Sequence, residues 1–283
     1  MQTVLSGILL GAFIFLVVVG FCWVRDTLGF YNMAHGEFVS VGAYTFWIVF
    51  QQSGNAILAT LAAMLIAGAV GVAVERVFFR PLRRTSTDAL LLTSFGVAVL
   101  LRVIISLTFS SASRGLGLED PVFFIGAFRL FLSEAIGVIL AVLLLGLMVV
   151  LNRTRFGLAA RALGENVPWL GVHGIPVDSI IAKVFFLSAA TGGIGGVLLS
   201  WRFTLQVSFF PYILYAFVIS VASRGSFGNV FGASTALGLL LAVSGRIWDS
   251  PLAAEAFATV VLMLIFTGLW LLRRSGNHAA SMI

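Results

Sequence analysis

Asn32, His35 and Glu37 fall within six residues of one another, next to Gly36 and not far from Gly42, with long uncharged runs on either side. An imidazole and a carboxylate so spaced can move protons, hold a metal or bind a polar solute. In an apolar setting such groups are costly, about 2.5–3.5 kcal/mol for an acidic residue at the centre of a bilayer, so their presence needs a reason. A zinc hydrolase is excluded by spacing: no H-E-x-x-H occurs, and the other histidines are His173 and His278. The sequence also lacks a G-x-S-x-G elbow, a phosphate-binding loop of the Walker type and a paired-carboxylate motif. No catalytic or metal-ligating residue is therefore expected. What remains for Glu37 is to hold irregular backbone in shape by accepting hydrogen bonds from free N–H groups or Arg25, to touch a solute, or to couple protons with His35.

The elements that must position this trio are membrane helices. The chain is 60% hydrophobic and 10% charged, whereas soluble domains carry about 25% charged residues. Predominantly apolar runs of roughly 15–21 residues, long enough for most to cross a bilayer, recur at Val4–Val24, Gly36–Gln52, Ala56–Val74, Ala89–Phe109, Ala135–Leu151, Val184–Trp201, Phe209–Ser223, Gly228–Gly245 and Ala256–Leu272, with Glu37 and Arg102 as the charges inside them. The expected fold is an all-α polytopic membrane helix bundle of eight or nine spans over residues 1–283, a single transmembrane domain. The second span, short and containing Gly36 and Gly42, is read as a broken helix. Glycines at 225–232 are read as a second interrupted element or as close helix packing, and Thr191–Gly196 as close packing.

Met1-Gln2-Thr3 has no positive n-region, so the first span is expected to stay in the mature protein. Placing the loops with Arg76, Arg80, Arg83, Arg84, Arg153, Arg155, Arg161 and Lys183 inside brings Arg25, Arg224, Arg273 and Arg274 to the same side. That puts 12 of the 17 basic residues in the cytoplasm, the N-terminus outside and the C-terminus inside. The net charge of +6 thus reports topology, and nucleic acid is not an expected partner. Cys22, the one cysteine, has no disulfide partner in the chain. Arg102, alone in an apolar span, is expected to pair with Glu37 or Glu134 or to snorkel.

The loop at 152–180 reads as a helix at Leu158–Leu163, a turn at Gly164-Glu165-Asn166 and a new helix after Pro168. It is either a rigid grip for a soluble partner or a plain connector. Val122–Ile125 and Phe128–Phe131 flank Gly126-Ala127 as a small hairpin.

Gly29-Phe30-Tyr31-Asn32-Met33-Ala34-His35-Gly36-Glu37-Phe38 with Gly42-Ala43-Tyr44 resembles the signature of the membrane permeases of branched-chain amino acid ABC importers. Glu75-Arg76 with Arg80-Pro81-Leu82-Arg83 is similar to a second segment of that family, and Thr154–Gly157, Arg161-Ala162, Glu165-Asn166 and Gly174-Ile175 to its cytoplasmic loop. The resemblance runs from about Val4 to Leu272. Departures are Ser226, Asn229 and Phe231 in a glycine-rich stretch, Pro168-Trp169-Leu170 in the loop, and the Arg25-Asp26 pair.

The resemblance implies a multi-pass permease subunit of the bacterial inner membrane that lines a translocation pathway near Asn32, His35, Gly36, Glu37 and Gly42. It implies coupling to ATPase subunits through the loop carrying Arg155, Gly157, Arg161, Glu165, Asn166, Gly174 and Ile175. Trp169 and Leu170, bulky where that family has small residues, are expected to be the anchors of this coupling surface. A second permease subunit, identical or related, and an extracytoplasmic solute-binding protein would be partners beside the lipid membrane. ATP would be hydrolysed by the partners, with no cofactor in this chain. The cargo would be a branched-chain or other amino acid, urea or a short amide. The alternative is a self-contained ion-coupled transporter using His35 and Glu37.

Overall fold

The computed structural model describes the chain apart from residues 84, 110–113, 166–169, 171–173, 224–225, 249, 251–252, 254, 262 and 265–283. Six helices among the described residues are long and apolar enough to cross a membrane. Five of them are α1 (Gln2–Leu28), α4 (Thr87–Phe109), α5 (Leu132–Arg153), α7 (Val177–Arg202) and α9 (Phe227–Ile247). The sixth is α3 (Ala56–Val74), which continues through a π turn at Glu75–Phe79 and a 3-10 turn at Arg80–Leu82. Three further helices are α2 (His35–Ser53), α6 (Arg155–Glu165) and α8 (Pro211–Ser223). Residues 255–261 are also helical, at the start of the ninth expected span, whose remainder lies outside the described residues.

Helix α1 is apolar on every face, the pattern of a helix enclosed by others. Ile14 to Val19 are fully buried beneath α9, α7, α8 and α5. In contrast, α3, α4 and α5 expose Leu61, Leu65, Leu92, Leu107, Leu143 and Leu147 on the outside, where acyl chains would cover them. The tightest joints use small residues in place of interdigitated side chains. A Cβ on Gly11 would lie 2.6 Å from Thr235 Cα of α9, and one on Gly196 of α7 would lie 2.1 Å from Val39 O of α2. The glycines at 191–196 are therefore packing surfaces, as their sequence suggested.

The two ends of the bundle differ. At one, β1 (Val122–Ile125) and β2 (Phe128–Phe131) form the expected antiparallel hairpin. Gln2 ties to it, its Nε2 donating to Arg129 O at 3.0 Å and its Oε1 accepting the Arg129 N–H at 3.1 Å. At the other end α6 packs against the close of α1, with Gly164 so near Asp26 O that a Cβ would stand 2.4 Å away. Arg25, Arg76, Arg80, Arg83, Arg155, Arg161 and Lys183 all gather around that end.

Two expectations about irregular backbone need correction. Helix α2 is continuous through Gly36 and Gly42; the irregular stretch precedes it, between the left-handed Gly29 that closes α1 (φ 72°) and His35. The second irregular stretch does not lie at 225–232, where Gly228 and Gly232 sit inside α9 and Gly225 is outside the described residues. It lies instead between α7 and α8, at 203–210.

Candidate functional site

Helices α2 and α8 both begin in the interior of the bundle. His35 opens α2 beside Val17, near the midpoint of α1, and its Nε2 donates to Val17 O at 2.8 Å. The backbone just before α8 touches the same place: a Cβ on Gly36 would lie 3.1 Å from Phe210 Cα and 2.9 Å from Ile213 Cγ1. Both connecting stretches must therefore enter the interior without helical hydrogen bonds, a state tolerated only where protein supplies partners.

Those partners are short polar side chains. In the first stretch Asn32 Oδ1 accepts the Ala34 N–H at 3.2 Å, Asn32 O accepts the His35 N–H at 3.1 Å, and Ser94 Oγ of α4 accepts the Met33 N–H at 3.1 Å. In the second, Ser208 Oγ accepts the Phe210 N–H at 3.1 Å and Ser40 Oγ of α2 accepts the Phe209 N–H at 3.2 Å. The Ser208 hydroxyl is left to donate to Glu37 Oε1, at 2.6 Å.

Glu37 is fully buried in the first turn of α2, where the exposed N–H dipoles of a helix start favour a carboxylate. Its Oε1 also accepts from Arg102 Nη2 at 3.0 Å and Nε at 3.3 Å, and the guanidinium lies 5.2 Å from the Phe210 ring centre. Of the partners considered for Arg102, the structure selects Glu37; Glu134 is engaged by Arg202 at 3.1 Å. Arg25 is not a partner of Glu37, since it bonds Asp26 at 3.0 Å and Ser220 O at 2.5 Å. Glu37 Oε2 and Asn32 Nδ2 are buried without a hydrogen-bond partner among the described residues.

His35 is also fully buried, and with Nε2 donating to Val17 O its Nδ1 accepts from Ser188 Oγ at 3.4 Å. Both ring nitrogens are thus committed to α1 and α7. Gly42 sits where α2 crosses α7, its Cβ position 2.3 Å from Gly193 Cα, so its place is a helix joint. Sequence reasoning overlooked Ser208, Ser40, Ser94 and Phe210. Ser208, three positions before Pro211 at the start of α8, carried a legible helix-start pattern.

The expected coupling residues divide into two sets. Helix α6 is amphipathic: Gly157, Ala160 and Leu163 face the bundle, while Arg155, Leu158, Arg161 and Glu165 are exposed. Gly174 is an exposed turn with φ 69°, and Ile175 is half-buried, its N–H donating to Leu170 O at 3.2 Å. Leu170 is 1% exposed and packs into the chain's own core, which removes it as an anchor on a free surface. Asn166 and Trp169 lie outside the described residues.

Residues 3–268 match the family model described as branched-chain amino acid transport system, permease component. This chain belongs to that family. It is 27% identical to the high-affinity branched-chain amino acid transport system permease protein LivH of Escherichia coli K12, over 94% of this chain and 92% of LivH. It is 25% identical to BraD of Pseudomonas aeruginosa, a permease protein of the same description, over 94% and 93% of the two chains. Among solved structures, PsaBC from Streptococcus pneumoniae in complex with Fab superposes with a TM-score of 0.53 at 13% identity, covering 94% of this chain and 91% of that one. The last likeness concerns the fold. The permease is a multi-pass membrane protein, and the ion-coupled alternative receives no support from these relatives.

Proposed function

We propose that this permease is one of two membrane subunits of an ATP-driven importer for branched-chain or related amino acids, with the solute passing along the face where α2 and α8 begin. The observation that carries this reading is the Arg102–Glu37 pair. The Arg102 side chain is 41% exposed, although it lies within the 23-residue apolar helix α4. A guanidinium on that surface is stable against water or another subunit and costly against acyl chains. A second permease subunit, the same chain or a related one, covers this face and leaves an aqueous path beside Arg102 and Ser208.

The exposed stripe of α6, Arg155, Leu158, Arg161 and Glu165, is the grip for nucleotide-hydrolysing subunits, which bind ATP in this chain's stead. The Arg-rich end of the bundle faces the cytoplasm of a bacterial inner membrane, placing the N-terminus outside and the C-terminus inside. An extracytoplasmic binding protein delivers the solute at the hairpin end. LivH and BraD, named for branched-chain amino acid transport, support the choice of cargo.

The test is uptake of radiolabelled leucine into liposomes holding the full complex, with ATP inside and binding protein outside. Arg161→Glu should abolish uptake and leucine-stimulated ATP hydrolysis at normal abundance of the permease. Uptake by this chain alone under an ion gradient, or an Arg161→Glu complex that works like the parent, overturns the proposal.

A further inference from the structure

A cavity of about 750 Å³ opens at the Arg-rich end, between the close of α3 and the first turns of α7, with Phe156 of α6 at one side. Helix α7 lines it with one face, Ser179, Ala182, Lys183, Phe186 and Leu187, whose spacing of three and four residues keeps them on one side. The opposite wall is Val72, Glu75, Arg76, Arg80 and Arg83. Four basic side chains thus meet two carboxylates, and both carboxylates are already occupied. Arg83 pairs with buried Glu75, and Arg80 and Arg83 hold Asp178 at 2.5 and 2.6 Å.

Arg76 and Lys183 are exposed and make no ion pair among the described residues. They give the mouth of the cavity an uncompensated positive charge above an apolar floor of Val72, Phe186 and Leu187. Leu58, Leu61, Leu65, Ala69 and Ala73 form an exposed apolar lane on α3 that ends at Arg76, within the hydrophobic length of the helix. A charged mouth beside an exposed apolar helix face, the two meeting at Arg76, matches an amphiphilic anion better than a soluble anion or a protein loop.

We propose that this cavity binds an anionic phospholipid, with its phosphate at Arg76 and Lys183 and an acyl chain along the exposed lane of α3. Basic pockets between membrane helices are suited to such headgroups, and the acyl chain adds burial that a free phosphate lacks. The bound lipid bridges α3 and α7 at the end where the α6 grip is attached. The inference does not depend on the transport reading, since it concerns binding alone.

Native mass spectrometry of the full chain in detergent, with added phosphatidylglycerol or phosphatidylcholine, tests it. Phosphatidylglycerol should be retained in preference, and Arg76→Gln with Lys183→Gln should erase that preference. At roughly fivefold per basic residue near an anionic group, the double change weakens retention about 25-fold. Neither side chain has an ion pair to lose among the described residues; if the double variant still fails to insert, Lys183→Gln alone should lower retention about fivefold. Equal retention of the two lipids, an unchanged preference in the variants, or displacement of phosphatidylglycerol by millimolar inorganic phosphate overturns the proposal.

Discussion

Removing the two members of the Arg102–Glu37 pair should cost unequal amounts. Glu37 is fully buried, whereas 41% of the Arg102 side chain is exposed. In Arg102→Gln the carboxylate loses donors at 3.0 and 3.3 Å and keeps the Ser208 hydroxyl. Orphaning one member of a fully buried pair costs about 3–5 kcal/mol, and partial solvent screening of this guanidinium reduces that to about 2 kcal/mol. In Glu37→Gln the amide oxygen still accepts from Ser208 while Arg102 turns to the open side, a loss of about 1 kcal/mol. The double Gln variant has no buried charge left to orphan, so it should be about 1 kcal/mol more stable than Arg102→Gln, a non-additive cycle. Thermal unfolding of the purified chain in detergent micelles measures this, with Arg102→Gln melting about 4–6 °C below the parent. Equal losses for the two single variants, or a double variant whose loss is their sum, would refute the assignment of Arg102 as the group that neutralises Glu37.

Two more expectations concern packing and topology. Gly196→Ala puts a methyl group against Val39 O and should destabilise the α2–α7 joint by about 1–3 kcal/mol. Gly146→Ala in α5 meets nothing within 4 Å and should be neutral or stabilising by up to about 1 kcal/mol in the same unfolding assay. The reverse order would show that these glycines are not close-packing surfaces. In a Cys22→Ala background, cysteines at exposed Ser86 and Ala127 should react with impermeant thiol reagents from opposite faces of the membrane, Ser86 from the cytoplasm. Modification of both from one face would contradict the proposed orientation.

Membrane class, most of the spans and the hairpin were legible from local chemistry, and the family from the resemblance of several short motifs in order. A stretch of 20 uncharged apolar residues has few fates other than a membrane helix. The polar trio was likewise visible, because charge inside an apolar run is costly and stands out one residue at a time. Arg102 stood out for the same reason, and Glu37 was already among its candidate partners.

Tertiary structure alone decided what these residues touch. The choice of Glu37 over Glu134 or solvent for Arg102 rests on a partner 65 positions away. The role of Ser208 depends on a re-entrant stretch whose composition differs little from that of an ordinary span end. Glycine is an ambiguous marker of irregular backbone, since the same residue type serves turns and close helix joints. Gly42 and Gly228 belong to continuous helices, while the second irregular stretch, 203–210, contains no glycine at all. Where a membrane helix begins is settled by which neighbours satisfy its free N–H groups. For the stretches that lead into α2 and α8, Ser94 and Ser40 are such neighbours, 61 and 169 positions away from the N–H groups they satisfy, and they arrive only when the bundle is assembled.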